Sequence, residues 1–161
     1  PPPPPPRHTK TRGIRGDRSE WLLERLDTLI AGHPKKLFLM IGTNDLAAGV
    51  APARIVEHVR RLIDRFRTES RWTKLYVQSI LPVNGRSFDR YAEHYARAVQ
   101  IVETNRLLAA LCEELQVVYL DVYAALVDSN GDLNAAYTDD GLHLLGEGYQ
   151  VWKEAIRPYV K

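Results

Sequence analysis

Lys36-Leu-Phe-Leu-Met-Ile41 runs directly into Gly42-Thr43-Asn44-Asp45. A short apolar run that stops at a glycine reads as a strand buried on both faces, the kind that parallel sheets contain. Two further runs have the same character: Leu75 to Leu81 (LYVQSIL), stopped by Pro82, and Val117 to Val122 (VVYLDV). Working outward from these three runs, the intervening segments carry a helical period. From Ala53 to Thr68, the residues Ile55, Val56, Val59, Leu62, Ile63 and Phe66 recur at helical spacing, with arginines on the other face. A longer helix is expected over about residues 90–115 and a last one over about residues 146–159. Asp17 followed by Glu20 reads as a capping box opening a helix that runs through Leu29. Strands that alternate with helices of this length imply a parallel sheet covered on both faces. In such sheets, active sites lie beyond the carboxyl ends of the strands.

The 161 residues fit one domain with a sizeable core. Hydrophobic residues at 45% and charged residues at 26% are ordinary for a globular protein, and a formal charge of +2 is too small to argue for nucleic acid or a membrane surface. No apolar run approaches the roughly 20 residues that span a bilayer. A single cysteine, Cys112, excludes an internal disulfide framework, and its helical neighbours Leu108, Leu111 and Leu115 make it a small core residue. Trp21, Trp72 and Trp152 fall in or beside helical segments and are expected to pack. Six prolines and a basic stretch open the chain, so residues 1–10 read as a tail or linker, with a polyproline II ligand as the functional reading, and 11–161 as the domain. The first residue is Pro1, not Met, which leaves the compartment open. Composition is silent on oligomeric state.

Polar clusters fall where strands should end. Gly13-Ile14-Arg15-Gly16-Asp17 precedes the first helix, where the Gly16 N–H would favour anionic charge. Asn44 offers an amide donor after the Lys36 strand. Asp140 and His143 stand three residues apart before the final helix, close enough to share one short turn. A carboxylate that fixes an imidazole tautomer is the orienting half of a hydrolytic triad, and two convergent donors form an oxyanion hole. Taken singly, a tight turn, an Asn-Asp turn and a surface Asp-His pair are the plainer readings. Order and spacing together favour the site.

These residues resemble the SGNH (GDSL-like) serine esterases. Gly13 to Asp17, Gly42 to Asp45 and Asp140 to Leu144 are similar to that family's second, third and fifth blocks, and Ile80-Leu81-Pro82-Val83 to the strand-end segment between the last two. The likeness covers about residues 11–160 and is greatest to bacterial esterases related to platelet-activating-factor acetylhydrolase. It implies an α/β fold, a flavodoxin-like three-layer α/β/α sandwich with five parallel strands. It also implies hydrolysis of a small-molecule ester through an acyl-enzyme, with no metal or organic cofactor. By the same resemblance His143 would be the general base, Asp140 its orienting partner, and the Gly16 N–H and Asn44 side chain the oxyanion donors. Removing one such donor typically costs about 2.7–4 kcal/mol in the barrier. Asp45 would brace the loop.

The family's first block, Gly-Asp-Ser at the end of its first strand, has no counterpart here. Pro1 to Arg12 contain no serine and no apolar strand. Ser19 reads as a capping or solvent-facing residue of the first helix turn, Ser79 as a strand residue, Ser70 and Ser87 as residues near element ends, and Ser129 as a turn residue. In the family's order the missing strand lies at the centre of the sheet, and its neighbours would otherwise face each other across roughly 9.5 Å. The expectation is therefore that a nucleophile-bearing segment precedes residue 1. A non-catalytic binding module on the same scaffold is the alternative. A phosphate or nucleotide binder built on Gly13 to Asp17 fits worse, because the Walker lysine is absent and the segment is too short for a dinucleotide fingerprint.

Overall fold

The computed structural model describes residues 18–160. The expected proline-rich tail, the Gly13 to Asp17 cluster with Gly16, and the Asp17 half of the capping box lie outside the described residues. The chain runs through α1 (Ser19–Glu24), α2 (Leu26–Ala31), β1 (Lys36–Leu39), α3 (Thr43–Ala47), α4 (Pro52–Glu69), β2 (Lys74–Gln78), α5 (Ala92–Tyr95), α6 (Ala98–Leu115), β3 (Val118–Leu120), α7 (Val122–Leu126), a 3₁₀ turn (Ala135–Tyr137) and α8 (Glu147–Val160). The described strands form one parallel sheet in the order β1-β2-β3, with Phe38 in register with Tyr76 and Tyr76 with Val118.

Strand periodicity divides the core into two layers. Successive side chains of a strand point to opposite faces. Leu37, Leu39 and Val77 accordingly join Val59, Ile63, Phe66, Leu108 and Cys112 on the face covered by α4 and α6. Phe38 and Tyr76 point the other way, to Val122 and Ile156 under α7 and α8. Their rings stack at 4.6 Å and 8°. A third cluster, Leu46, Ile55, Ile80, Val83 and Ile101, fills the space at the carboxyl ends of the strands. The result is the expected three-layer α/β/α sandwich. Burying one large side chain such as Phe66 contributes about 1.5–3 kcal/mol, which is why a continuous apolar run specifies a central strand so strongly.

Local chemistry sets the helix ends. Pro52 starts α4 at a position where its missing N–H costs nothing. Gln116 closes α6 in the left-handed region (φ 55°, ψ 47°), and the Val117 N–H reaches back to the Cys112 carbonyl at 2.9 Å. That turn launches β3 two residues later.

Two expected helices are each broken once. The helix expected to run through Leu29 turns at Arg25 (φ −97°, ψ 7°), and its cap residue is Arg18, without a side-chain cap. The turn aims Leu26 and Ile30 into the core, where they are 1% and 6% exposed. The helix expected over residues 90–115 is interrupted after Tyr95, whose ring lies over Gly85; a Cβ at Gly85 would stand 2.2 Å from it. Trp21 and Trp72, expected to pack, are largely exposed beneath the guanidinium groups of Arg18 and Arg71. Trp152 does pack, and donates to Gln78 Oε1 at 2.8 Å. Among the described residues, no helix is long and apolar enough to cross a membrane.

Candidate active site

The site is assembled from the loops that leave β1 and β2 and the turn that precedes α8. After β1 the chain bends at Gly42 (φ 130°), where a Cβ would meet Ile80 Cδ1 at 2.6 Å, so the ends of β1 and β2 are in close contact. Asn44 and Asp45 follow in the first turn of α3. Asp45 is 1% exposed, and its carboxylate accepts the backbone N–H and the hydroxyl of Ser19. The single Ser19 hydroxyl proton goes to Asp45, so the His58 ring, 2.6 Å away through Nδ1, donates to Ser19 Oγ. Asp45 therefore braces the loop by joining α1, α3 and α4. Ser19 is buried and not solvent-facing, which corrects the reading of the sequence.

Asn44 Oδ1 accepts from His94 Nε2 at 3.1 Å. Tyr91, just before α5, meets the ring of His94 edge-on at 5.4 Å and that of His143 at 5.6 Å. Asn44, His94, Tyr91 and His143 thus form one contiguous row. Burial lowers the His94 pKa; Glu93 opposes this and His143 adds to it. Neither His94 nor Tyr91 was singled out by sequence motifs. Both sit in a stretch that reads as ordinary helix, and no spacing rule marks them.

The segment after β2 is held by Asn84, which is 5% exposed. Its side chain donates to the Leu133 carbonyl and accepts from the Arg86 and Ser87 amides, while its own N–H bonds the Gly141 carbonyl at 2.8 Å. Asp132 pairs with Arg86 at 2.8 Å and fixes the same loop from the far side. Gly141 (φ 86°) lies so close that a Cβ would stand 2.2 Å from the Asn84 carbonyl oxygen. The turn containing Asp140 and His143 is therefore seated directly on the β2 loop.

Within that turn, Asp140 Oδ2 lies 2.7 Å from His143 Nδ1. Asp140 Oδ1 accepts the backbone N–H groups of Leu142 and His143, each at 2.8 Å. Burial opposes ionisation of Asp140, but the His143 and Leu142 hydrogen bonds outweigh it and hold the carboxyl well below the usual carboxylate range. The carboxylate thus takes Nδ1–H, which leaves the lone pair on Nε2. The His143 side chain is 38% exposed and Asp140 only 14%. Beside Asp140 opens a cleft of about 230 Å³, lined also by Ser87, Phe88, Asp89, Arg90 and Asp139. Among the described residues, no three His, Cys, Asp or Glu side chains cluster to hold a metal.

Of the remaining serines, Ser70 bonds Thr73. Ser79 lies one residue beyond β2, fully buried, with its hydroxyl accepting the Tyr123 N–H at 2.8 Å. Ser87 lines the cleft. Gly16 lies outside the described residues.

Comparison with known proteins agrees with this architecture. The model of the GDSL-like lipase/acylhydrolase family matches residues 4–151. A solved Streptococcus pneumonia protein described as a platelet activating factor is 34% identical, with a TM-score of 0.85, and the match covers 93% of this chain and 71% of that one. A solved Bacteroides fragilis protein described as an acylhydrolase is 26% identical at a TM-score of 0.82, covering 92% and 72% respectively. Among curated proteins, the N-acylneuraminate cytidylyltransferase of Escherichia coli is 27% identical over 159 residues. The match covers 92% of this chain but 34% of that protein, so the chain spans about a third of the curated relatives it matches. With the family model covering most of its length and a 34% identical relative of the same fold, the chain belongs to the GDSL-like lipase/acylhydrolase family.

Proposed function

We propose that this domain carries the base and oxyanion half of a serine esterase acting on short-chain acyl esters, acetyl esters of carbohydrate or lipid among them. The observation that carries the reading is the Asp140–His143 pair, in which Asp140 holds Nδ1 at 2.7 Å and leaves the lone pair on Nε2. The B. fragilis relative is described as an acylhydrolase, which supports the same chemistry. A serine Oγ attacks the acyl carbon and gives its proton to His143 Nε2. The tetrahedral oxyanion is stabilised by the Asn44 Nδ2–H and the Gly16 N–H. The ester C–O bond then breaks, and the alcohol leaves with the proton from Nε2. Water attacks the acyl-enzyme through the same base, releasing the acid and restoring the serine.

The Gly-Asp-Ser block that would carry the nucleophile in this reading is absent from these 161 residues. The same absence favours a second reading, a binding module that retains the pocket without turnover. A fluorophosphonate probe applied to the full-length protein, followed by peptide mapping, separates the two. An esterase is labelled on one serine and hydrolyses p-nitrophenyl acetate. It loses at least a hundredfold in kcat on His143→Ala or Asp140→Ala with folding retained. A protein that is neither labelled nor active is the binding module.

A further inference from the structure

We infer that His94 is a positioning residue that fixes which end of the Asn44 side chain faces the reacting ester; the inference rests on the proposed esterase reading. An asparagine amide has a donating and an accepting end, and only the donating Nδ2 stabilises an oxyanion. Nothing in Asn44 itself chooses between them. His94 does, because its Nε2 stands 3.1 Å from Oδ1. An Nε2–H donor can pair only with the oxygen, which turns Nδ2 the other way. With the proton on Nδ1 instead, Nε2 would accept from Nδ2, and the amide would present oxygen to a developing negative charge.

The surroundings of His94 keep it in this role. It lies on the four-residue helix α5, which packs against α3, the helix that carries Asn44. Tyr91 meets the His94 ring and the His143 ring, each in edge-to-face geometry. The base and the amide donor are thus registered to each other through two aromatic contacts and one hydrogen bond, independently of the Asp140 contact that sets His143. The residue next to His94, Tyr95, anchors α5 by laying its ring over Gly85.

Two measurements on the full-length protein test this. Nitrogen-15 NMR of the imidazoles should find His94 as the Nε2–H tautomer, coupled through the hydrogen bond to Asn44; an Nδ1–H tautomer overturns the inference without reference to activity. In kinetics, His94→Phe should lower kcat about tenfold to a hundredfold, less than the 10²–10³ for losing an oxyanion donor outright, with KM within about twofold. His94→Gln, which keeps an N–H donor, should recover most of the loss. In an Asn44→Ala background, His94→Phe should change nothing further. Equal losses in both backgrounds, or full activity of His94→Phe, overturn the inference and leave the esterase standing. An inert wild-type protein removes the proposed function and this inference with it.

Discussion

Asp45 Oδ1 accepts the Ser19 hydroxyl at 2.7 Å, and both carboxylate oxygens lie 3.1 Å from the Ser19 backbone nitrogen. One carboxylate on α3 therefore satisfies an orphan N–H at the start of α1 and polarises a hydroxyl that in turn receives His58 from α4. Hydrogen bonds to charged groups contribute about 1.5–3 kcal/mol each, and buried groups left unpaired cost a similar amount. Asp45→Ala should destabilise the fold by about 3 kcal/mol, a Tm loss of about 6–12 °C at roughly 2–4 °C per kcal/mol. Ser19→Ala should cost less, because the backbone N–H keeps its acceptor. Scanning calorimetry of the two variants reads the difference, and equal small shifts would remove the bracing role.

Gly141→Ala places a methyl 2.2 Å from the Asn84 carbonyl oxygen and 2.9 Å from Phe88 Cβ, at a backbone φ of 86°. Left-handed strain alone costs about 1–3 kcal/mol, and the clash adds to it. The turn must lift off the β2 loop, carrying His143 with it. Turnover by the full-length protein should fall at least tenfold together with stability. A variant with unchanged kcat would mean that the seating of this turn is irrelevant to the chemistry.

Asn105 on α6 accepts from the Ile80 N–H at 2.7 Å and donates to the Ile80 carbonyl at 3.0 Å. Its amide extends the sheet by one pseudo-strand where β2 has ended. Asn105→Leu keeps the branched heavy-atom skeleton and orphans two buried backbone groups, at about 1–3 kcal/mol each. Urea unfolding should show a lower midpoint with an unchanged slope; a wild-type midpoint would show that Ile80 finds other partners.

Asp140 supplies an acid-sensitive contribution to stability. Its folded carboxyl titrates below the ordinary range, so the stabilisation is fully present above the unfolded value of about 3.9 and is lost as pH falls from there towards the folded value. Asp140→Asn keeps an acceptor for the Leu142 and His143 amides but not the charge. Its stability deficit relative to wild type should be steady above about pH 5 and shrink on further acidification. Denaturant titrations between pH 3 and pH 7 read this directly, and a deficit that grew towards low pH would reverse the sign and refute it.

Cys112 is 1% exposed, and burial pushes its thiol up to about 11. It should be inert to disulfide reagents in the native state at pH 8 and react once the chain is unfolded. Rapid labelling without denaturant would place the thiol outside the core.

The sheet was legible because its signal is local. Leu37, Phe38 and Leu39 are apolar without interruption, and the structure uses both faces of that run. Asp140 and His143 were legible for the same reason, being neighbours in one turn. What escaped is non-local. Asn44 and His94 are 50 residues apart, and Ser19 and His58 are 39 apart; no periodicity encodes either pairing. The breaks at Arg25 and after Tyr95 escaped because helix propensity is satisfied on both sides of each, and tertiary contacts alone set the turns. Trp21 and Trp72 show the converse: an aromatic side chain need not enter the core when an arginine can lie over its face.

Asp140 and His143 are carried by one four-residue turn, so their contact is made within a single short stretch of chain and not by docking two elements. Changes elsewhere that leave this turn seated on the β2 loop therefore leave the pair intact.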